Sequence, residues 1–331
     1  MQSIVRASLG RIAKFGEFEI RPVDRKDWKQ ADYAVAEVTD APGPNSWVEV
    51  RSGRMIQVIQ GDRILGAFGN RYATLELTGS WEAIGEDLHF NLLTGAGIFG
   101  KVSSISAYAA HPIKLKYVGH VFKHGHNCNM RDYAVLDTGK VFSHPVLLIV
   151  GSSMSAGKTN SARILIRRLK KMNKRVLAAK LTGAGRYRDV LTMKDSGADV
   201  IYDFTDAGLP STVCNKAAYA EAIQRLMSNM AAEDVDIAVI EAGASPLEPY
   251  NGETAIELLR PYIRSTILCA SDPYAAYGFI QVGEIKPDLI TGIACNTAAG
   301  QELVHKLTGV TPLCLSDVAA IEALDAMLAR I

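Results

Sequence analysis

The segment from Leu147 to Leu169, LLIVGSSMSAGKTNSARILIRRL, contains residue types whose order suits phosphate binding. An apolar run leads into a loop of small residues that ends in Gly-Lys-Thr, and a helix-like pattern follows. Small residues let backbone N–H groups curl around a phosphate, and the helix N-terminus adds a positive dipole end. We therefore predict a phosphate-binding loop in which Lys158 reaches the β- and γ-phosphates and the hydroxyl of Thr159 binds Mg²⁺. The predicted nucleotide-binding residues of this loop are Gly151, Ser152, Ser153, Ser155, Ala156, Gly157, Lys158 and Thr159.

The spacing of the glycines departs from the commonest phosphate-binding pattern. The pattern G-x-x-x-x-G-K-[ST] requires its first glycine where this sequence has Ser152. The glycine is Gly151 instead, so the loop is G-x₅-G-K-T and one residue longer. A surface turn that happens to contain Gly-Lys-Thr is the alternative interpretation, and the strand and helix patterns on either side favour phosphate binding.

The longer loop resembles that of the dethiobiotin synthetase group of P-loop enzymes, which runs G-T-D-x-x-V-G-K-T. Later segments resemble the same group in the same order, between about Val146 and Leu315. VIEAGAS is similar to a strand whose glutamate helps to hold Mg²⁺, which implies that role for Glu241. LAAKL places Lys180 at a strand-end lysine near the phosphates, and GIACNT places Asn296 at an asparagine that contacts adenine.

A closer similarity is to a family of uncharacterised domains built on the same scaffold. Its members carry D-A-V-x-x-D-F and then E-G-Q-G-S-L-x-H-P-x-Y-S-G, and the counterparts here are DVIYDFTDAG from Asp199 and EAGASPLEPYNG from Glu241. One member of that family is linked to N-acylation of D-glutamate, so this resemblance implies nucleotide-type binding more firmly than it implies a reaction. The N-terminal half departs from the family, which carries a Rossmann-like domain there.

Charged residues at predicted strand ends are candidates for binding Mg²⁺ or for stabilising charge on the phosphates. Glu241 follows the strand-like run from Asp236 to Ile240 and can bind Mg²⁺ directly or through water. Lys180 can neutralise charge that grows on a transferred phosphoryl group. Further Mg²⁺ ligands are predicted at Asp199 and Asp203. Solvated strand ends are the alternative interpretation for all of these residues.

Other residues are candidates for contact with the substrate and the base. Planar guanidinium groups suit carboxylates and phosphates, so Arg186 and Arg188 are predicted to contact substrate. Ser245 begins SPLEPYNG, a loop rich in Pro and Gly that is predicted to act as a substrate lid. The amide of Asn296 can pair with both a donor and an acceptor of adenine. The alternatives are a solvated loop for Arg186 and Arg188, a long connection for the segment from Ser245, and an ordinary turn for Asn296.

The segment GHVFKHGHNCN crowds His120, His124, His126 and Cys128 together. These are residue types that zinc prefers, although their order is that of no familiar finger or ribbon. A polar loop is the alternative to a metal site.

These residues need two kinds of scaffold. Short alternating runs such as EFEIRPV, YAVAEVTD and YATLELTG predict a β-rich N-terminal region, a small barrel or sandwich. From Pro145 onward, uniformly apolar strand-like runs alternate with helix-like segments, which predicts a doubly wound α/β domain with a mostly parallel sheet. We therefore expect a β-rich domain over 1–143, for substrate or dimer contacts, and a P-loop nucleotide-binding domain over 144–331.

Composition excludes several classes of function. The chain has 331 residues and a formal net charge of +1, which gives no electrostatic reason to expect nucleic acid or a membrane surface as a partner. No run approaches the roughly 20 apolar residues that a membrane-spanning helix needs. The five cysteines follow no framework spacing, which is typical of reduced thiols and predicts a cytoplasmic protein.

The leading functional hypothesis is an ATP- and Mg²⁺-dependent enzyme of ligase or kinase type that activates a small carboxylate or amine by phosphoryl transfer. It is expected to act as a homodimer on a small-molecule substrate. One alternative is an acyl-CoA-dependent N-acyltransferase, whose loop holds phosphates of the carrier. Another is a nucleotide-switched adapter or metallochaperone, with the histidine-cysteine segment carrying the cargo.

Overall fold

The computed structural model describes residues 4–43, 46–243, 245–283 and 285–331. Within them the chain divides into two compact units. Unit 1 comprises Met1–Leu136, Ala184–Arg188 and Phe204–Asn215. Unit 2 comprises Asp137–Gly183, Asp189–Asp203 and Lys216–Ile331. The first segment of unit 1 ends at Leu136, and two short segments from the second half of the chain belong to the same unit.

Unit 1 is built from β-strands, as the alternating pattern of the N-terminal half predicts. Strands β6, β3, β11, β9 and β10 pair in that order, and β10 also pairs with β6 in parallel. These pairings close a ring, so the strands form a small barrel. The strands are β1 (Ile4–Arg6), β2 (Glu19–Arg21), β3 (Tyr33–Asp40), β4 (Trp47–Glu49), β5 (Met55–Gln57), β6 (Arg63–Phe68), β7 (Arg71–Tyr72), β8 (Leu77–Ser80), β9 (His89–Thr94), β10 (Ile98–Ile105), β11 (Lys114–Lys123) and β12 (His126–Asn127).

The core of unit 1 follows from the two-residue period of its strands. Alternate residues of β3, namely Ala34, Ala36 and Val38, are buried in one cluster with aromatic residues from neighbouring strands. The Trp28 and Phe68 rings stack there with centroids 4.4 Å apart. Small side chains on β3 leave the room that these rings occupy.

Unit 2 contains a parallel sheet in the order β15-β14-β16-β13-β17-β18-β19. The strands are β13 (Val146–Gly151), β14 (Val176–Thr182), β15 (Val200–Asp203), β16 (Ile237–Ala242), β17 (Ile263–Cys269), β18 (Leu289–Thr291) and β19 (Thr311–Pro312). The helices of the second half of the chain are α1 (Lys158–Lys171), α2 (Tyr187–Asp195), α3 (Lys216–Met230), α4 (Gly252–Leu259), α5 (Pro273–Val282), α6 (Ala298–Thr308) and α7 (Ile321–Leu328). The α/β class and the parallel sheet are thus confirmed, with a β-rich region in addition.

The central strands of this sheet are buried along their whole length, which explains why their sequences lack alternation. Every residue of β13, β14 and β16 is buried. The chain leaves β13 towards β14 on one side and leaves β17 towards β18 on the other. Adjacent strands whose connections run in opposite directions open a crevice at their carboxyl ends, where such sheets bind ligands. The predicted phosphate loop begins at that point.

No helix in the described ranges is long and apolar enough to cross a membrane. All five cysteines are free thiols, and Cys128, Cys269 and Cys295 are buried.

Candidate functional site

The loop between β13 and α1 is tied to the neighbouring strand end. The Ser152 N–H donates to the carbonyl of Cys269 over 3.0 Å, and the Ser152 hydroxyl accepts from the Ser271 N–H over 3.1 Å. Gly157, which precedes α1, has a φ of +102°, a backbone conformation that favours glycine. The loop is therefore held between β17 and the N-terminus of α1, whose first amides are free to bind an anion.

Lys158 folds back over the start of this loop. Its ammonium donates to the carbonyl of Ser153 over 2.6 Å, and the side chain is 2% exposed. A Cβ atom added at Gly151 would lie 2.7 Å from both Cδ and Nζ of Lys158. The glycine at position 151 is therefore explained by the path of the lysine. Burial lowers the pKa of Lys158, and the carboxylate of Glu241 opposes that shift.

The segment after β18 packs against the same loop. Gly292 has a φ of +90°, and a Cβ at this position would collide with the carbonyl oxygen of Ala156. Asn296 lies four residues further on, at the end of a short turn, and is exposed. The predicted base-reading asparagine is thus carried by a segment that touches the phosphate loop.

Thr159 and Glu241 meet beside the loop. The Thr159 hydroxyl lies 3.2 Å from one carboxylate oxygen of Glu241 and 3.5 Å from the other. Glu241 is 2% exposed, and it lies in register with Ile149 of β13. A hydroxyl and a carboxylate at this separation are hard oxygen donors that suit Mg²⁺, so these residues fit the predicted metal site.

A row of charged residues crosses the sheet next to Glu241. Asp203, Lys180 and Glu241 are register partners on β15, β14 and β16, so their side chains share one face of the sheet. The Lys180 ammonium also forms a partly buried ion pair with Asp189 of α2. Asp203, Lys180 and Glu241 are all buried.

The charges of this row act on one another. Burial alone would lower the pKa of Lys180, but the carboxylates of Asp189, Glu241 and Asp203 outweigh it and raise that pKa above its ordinary value. Burial raises the pKa of Glu241, and the ammonium of Lys180 opposes this shift. Lys180 is therefore a fixed cation within the sheet, surrounded by carboxylates on adjacent elements.

Ser245 and Asp203 lie at the carboxyl edge of the sheet, whereas Asp199 does not. Ser245, three residues beyond β16, is buried, and its N–H donates to Glu248 over 2.8 Å. Asp199 lies at the amino end of β15, where it accepts from Lys170 and from the N–H of Val176. A strand separates Asp199 from Asp203, so a metal role for Asp199 is not supported by its position.

Arg186 and Arg188, the predicted substrate contacts, belong to unit 1, and their side chains are exposed. The N–H of Arg188 donates to a carboxylate oxygen of Glu49 over 3.1 Å. Their role in substrate binding stays a prediction.

The histidine-cysteine segment does not converge on one point. His120 on β11 is fully buried, 2.5 Å from the Tyr117 hydroxyl through Nδ1 and 3.4 Å from Asp32 through Nε2. His124 and His126 are exposed around the turn between β11 and β12. Within the described residues, no cluster of three or more His, Cys, Asp or Glu side chains could hold a metal ion. The segment is part of a hairpin, and the zinc interpretation is not supported.

Two features of the site escape sequence reasoning. Asp189 comes directly after the predicted Arg186–Arg188 segment, and only the fold brings it to Lys180. Gly292 is the first residue of the predicted GIACNT segment, but its contact with the phosphate loop is visible only in the fold. A sequence signal for Asp189 exists only as an acid at the start of a helix, which is ordinary.

No family model and no curated protein matches this chain. Similar solved structures include the signal recognition particle receptor FtsY from Elizabethkingia anophelis in complex with GDP, at 13% identity and a TM-score of 0.39. That match covers 57% of this chain and 65% of the other chain. Chloroplast FtsY from Physcomitrella patens is 17% identical, with a TM-score of 0.38 and coverage of 60% and 70%. HypB from Helicobacter pylori in complex with nickel is 16% identical, with a TM-score of 0.36 and coverage of 57% and 86%.

At scores this low, the likeness supports no inference about ligand or activity. The parallel sheet, the glycine-containing loop after β13 and the Lys-Thr pair that opens α1 define a P-loop nucleotide-binding scaffold. The narrower resemblance to dethiobiotin synthetases stays a prediction.

Proposed function

We propose that this protein binds ATP with Mg²⁺ and transfers the terminal phosphoryl group to a small carboxylate or amine, as a ligase or a kinase does. The observation that carries the proposal is the contact of Thr159 with Glu241, with Lys180 in the next register position. A phosphate loop, a metal-binding pair and a fixed cation are the parts that phosphoryl transfer requires, because positioning and electrostatics supply most of its catalysis.

The phosphate loop binds the nucleotide. Backbone N–H groups of the loop and of the first turn of α1 donate to phosphate oxygens, and Lys158 leaves its contact with the Ser153 carbonyl to pair with them. Thr159 and Glu241 would hold Mg²⁺, which would neutralise charge on the phosphates. Glu241 must be ionised to do so; burial raises its pKa, and the ammonium groups of Lys180 and Lys158 oppose that shift.

Lys180 supports transfer to a substrate in addition to nucleotide binding. Its raised pKa keeps the ammonium charged throughout the neutral range, so it can stabilise negative charge on the group in transfer. Asp189 holds this ammonium from α2 and fixes its position. This second lysine, in addition to the loop lysine, is the feature on which our choice of an enzyme over a switch rests.

The choice of ATP over GTP rests on Asn296. Its amide offers the donor and acceptor that adenine requires, and its segment adjoins the loop through Gly292. The sequence contains no N-K-x-D segment of the kind that reads guanine.

The first test is a thermal-shift measurement with ATP-Mg²⁺, GTP-Mg²⁺ and acetyl-CoA. We expect ATP-Mg²⁺ to raise Tm most, because a ligand that binds only the folded state stabilises it. Lys158→Ala should weaken ATP binding at least about tenfold, equivalent to about 1.4 kcal/mol. Lys171→Ala is the matched control, since Lys171 is exposed on the same helix.

These measurements distinguish the proposed function from the alternative functions. Greater stabilisation by GTP-Mg²⁺ or acetyl-CoA, or equal binding of ATP by the Lys158→Ala and Lys171→Ala variants, would contradict the proposed site. ADP release in the presence of mixed small carboxylates and amines then tests the reaction. Release that no compound accelerates would contradict transfer while leaving nucleotide binding intact.

A further inference from the structure

Unit 1 contains a cavity of about 840 Å³ to which nothing above assigns a ligand. It lies between β1, the turn that follows β4, and Tyr187, all of which belong to unit 1. Aliphatic side chains such as Val50 and Ile56 line part of it, and the guanidinium groups of Arg6, Arg11 and Arg51 line the rest. The cavity is open to solvent, and it combines an apolar wall with a few polar groups, as ligand sites commonly do.

The charged groups that line this cavity are all positive. Arg6 donates to the carbonyl oxygens of Phe15 and Gly16, over 2.6 Å and 3.2 Å. Carbonyl oxygens are neutral, so these bonds fix the guanidinium without compensating its charge. Across the part of the chain that the structure describes, neither Arg6 nor Arg51 is recorded in an ion pair with a carboxylate.

Arg11 and Tyr187 form a rigid wall of the cavity. Arg11 pairs with Asp206, and its guanidinium lies over the Tyr187 ring, 4.4 Å from the centroid. The Tyr187 N–H donates to Glu49 over 2.8 Å. Ser8 donates to the same carboxylate, so Glu49 is occupied by neutral donors at 1% exposure.

The charge balance around the cavity favours an anion. Asp206 and Glu49 offset two of the three lining arginines, which leaves one positive charge in the wall. Three exposed arginines adjoin it along the chain: Arg54 in the turn with Arg51, and Arg186 and Arg188 on either side of Tyr187. The whole chain has a net charge of only +1, so this region is a local concentration of positive charge.

We propose that this cavity binds an organic anion that carries phosphate or carboxylate on an apolar body. Arg6 and Arg51 pair with the charged groups, because planar guanidinium groups bind carboxylate and phosphate oxygens in parallel. The aliphatic wall and the Tyr187 ring contact the apolar body. The inference does not require ATP at the phosphate loop, since the residues that carry it all lie in unit 1.

The test is calorimetric titration of the full chain carrying Lys158→Ala, so that phosphate binding at the loop of unit 2 is suppressed. Phenyl phosphate and isophthalate are the probes, with inorganic phosphate as the comparison that lacks an apolar body. We expect one or both aromatic dianions to bind more tightly than inorganic phosphate. The better of the two identifies phosphate or carboxylate as the preferred charged group.

Arg51→Glu should weaken that binding at least about tenfold, which corresponds to about 1.4 kcal/mol. Arg51 is exposed, so this change leaves the core unaltered. Lys26→Glu is the matched control, because it makes the same change of charge at an exposed residue of unit 1 outside the cavity. Equal affinities in these two variants, or no binding of either aromatic dianion at millimolar concentration, would overturn the inference. Failure of ATP binding in the unmodified chain would leave it standing.

Discussion

The side chain of Lys158 crosses the space in which any side chain at position 151 would lie. A Cβ there would be 2.7 Å from Nζ of the lysine, closer than real contacts allow. Gly151→Ala should therefore narrow the space through which the Lys158 side chain passes on its way to the phosphates and weaken ATP-Mg²⁺ binding by about tenfold, or about 1.4 kcal/mol. Calorimetric titration of ATP-Mg²⁺ measures this effect.

Gly278→Ala provides the control for that substitution. Gly278 lies within α5, and a Cβ there would meet no atom within 4 Å. Alanine is the better helix former, so this variant should bind ATP normally and gain up to about 1 kcal/mol in unfolding free energy. Unchanged ATP affinity in the Gly151→Ala protein would show that Lys158 reaches the phosphates by a path that leaves room for a side chain at position 151.

A carboxylate of unit 2 can belong to the site only if it lies at the carboxyl end of its strand, and Asp199 lies at the amino end of β15. Asp199 joins α1 to the amino end of β14 through Lys170 and the N–H of Val176. Partial burial would raise the pKa of Asp199, but these two hydrogen bonds outweigh it and hold that pKa below its ordinary value of 3.8. The contribution of Asp199 to stability is therefore present above pH 3.8 and is lost as the pH falls through the lower, folded-state pKa.

Asp199→Asn should lower the unfolding free energy by about 1 kcal/mol at pH 7, because a partly exposed ion pair and a hydrogen bond to a charged group are weakened. The difference from the unmodified protein should shrink towards zero in acid. Urea unfolding at pH 7 and at successively lower pH measures it. Asp195→Asn, at an exposed position of α2, is the matched control and should leave the unfolding free energy at pH 7 unchanged. Loss of ATP binding without loss of stability in Asp199→Asn would instead restore Asp199 to the site.

The positions of the strands and helices explain how much of the candidate site could be predicted from the sequence. The phosphate loop is a local feature, in which strand, loop and helix adjoin in the chain, and Thr159 and Glu241 follow from strand order. Asp199 and Asp203 are close in sequence, yet β15 puts them at opposite ends of the sheet. Asp189 approaches Lys180 only through the packing of α2, which no periodicity encodes. His120 looks like a metal ligand in sequence but points into a barrel core.

No single position in the chain separates unit 1 from unit 2. Ala184–Arg188 and Phe204–Asn215 follow the β-rich region in sequence but belong to unit 1. They pair with each other through the bond from the Gly185 N–H to the Pro210 carbonyl, over 3.0 Å. They also supply Asp206 to Arg11 and the backbone donors of Tyr187 and Arg188 to Glu49. The N-terminal β-rich region alone therefore lacks two of the three segments that make up unit 1.

A fragment of residues 1–143 should consequently fail to fold as it does in the whole chain. Glu49, 1% exposed, would lose both backbone donors, and Arg11 would lose its carboxylate. Ser8 still donates to Glu49 in the fragment, but each hydrogen bond lost to a charged group costs about 1.5–3 kcal/mol, against a total stability of about 5–15 kcal/mol for a typical domain. Near-ultraviolet circular dichroism during heating should show weak aromatic signals and no sharp transition for the fragment. The full chain under the same conditions is the reference, and a cooperative transition of similar Tm in the fragment would refute the dependence on the later segments.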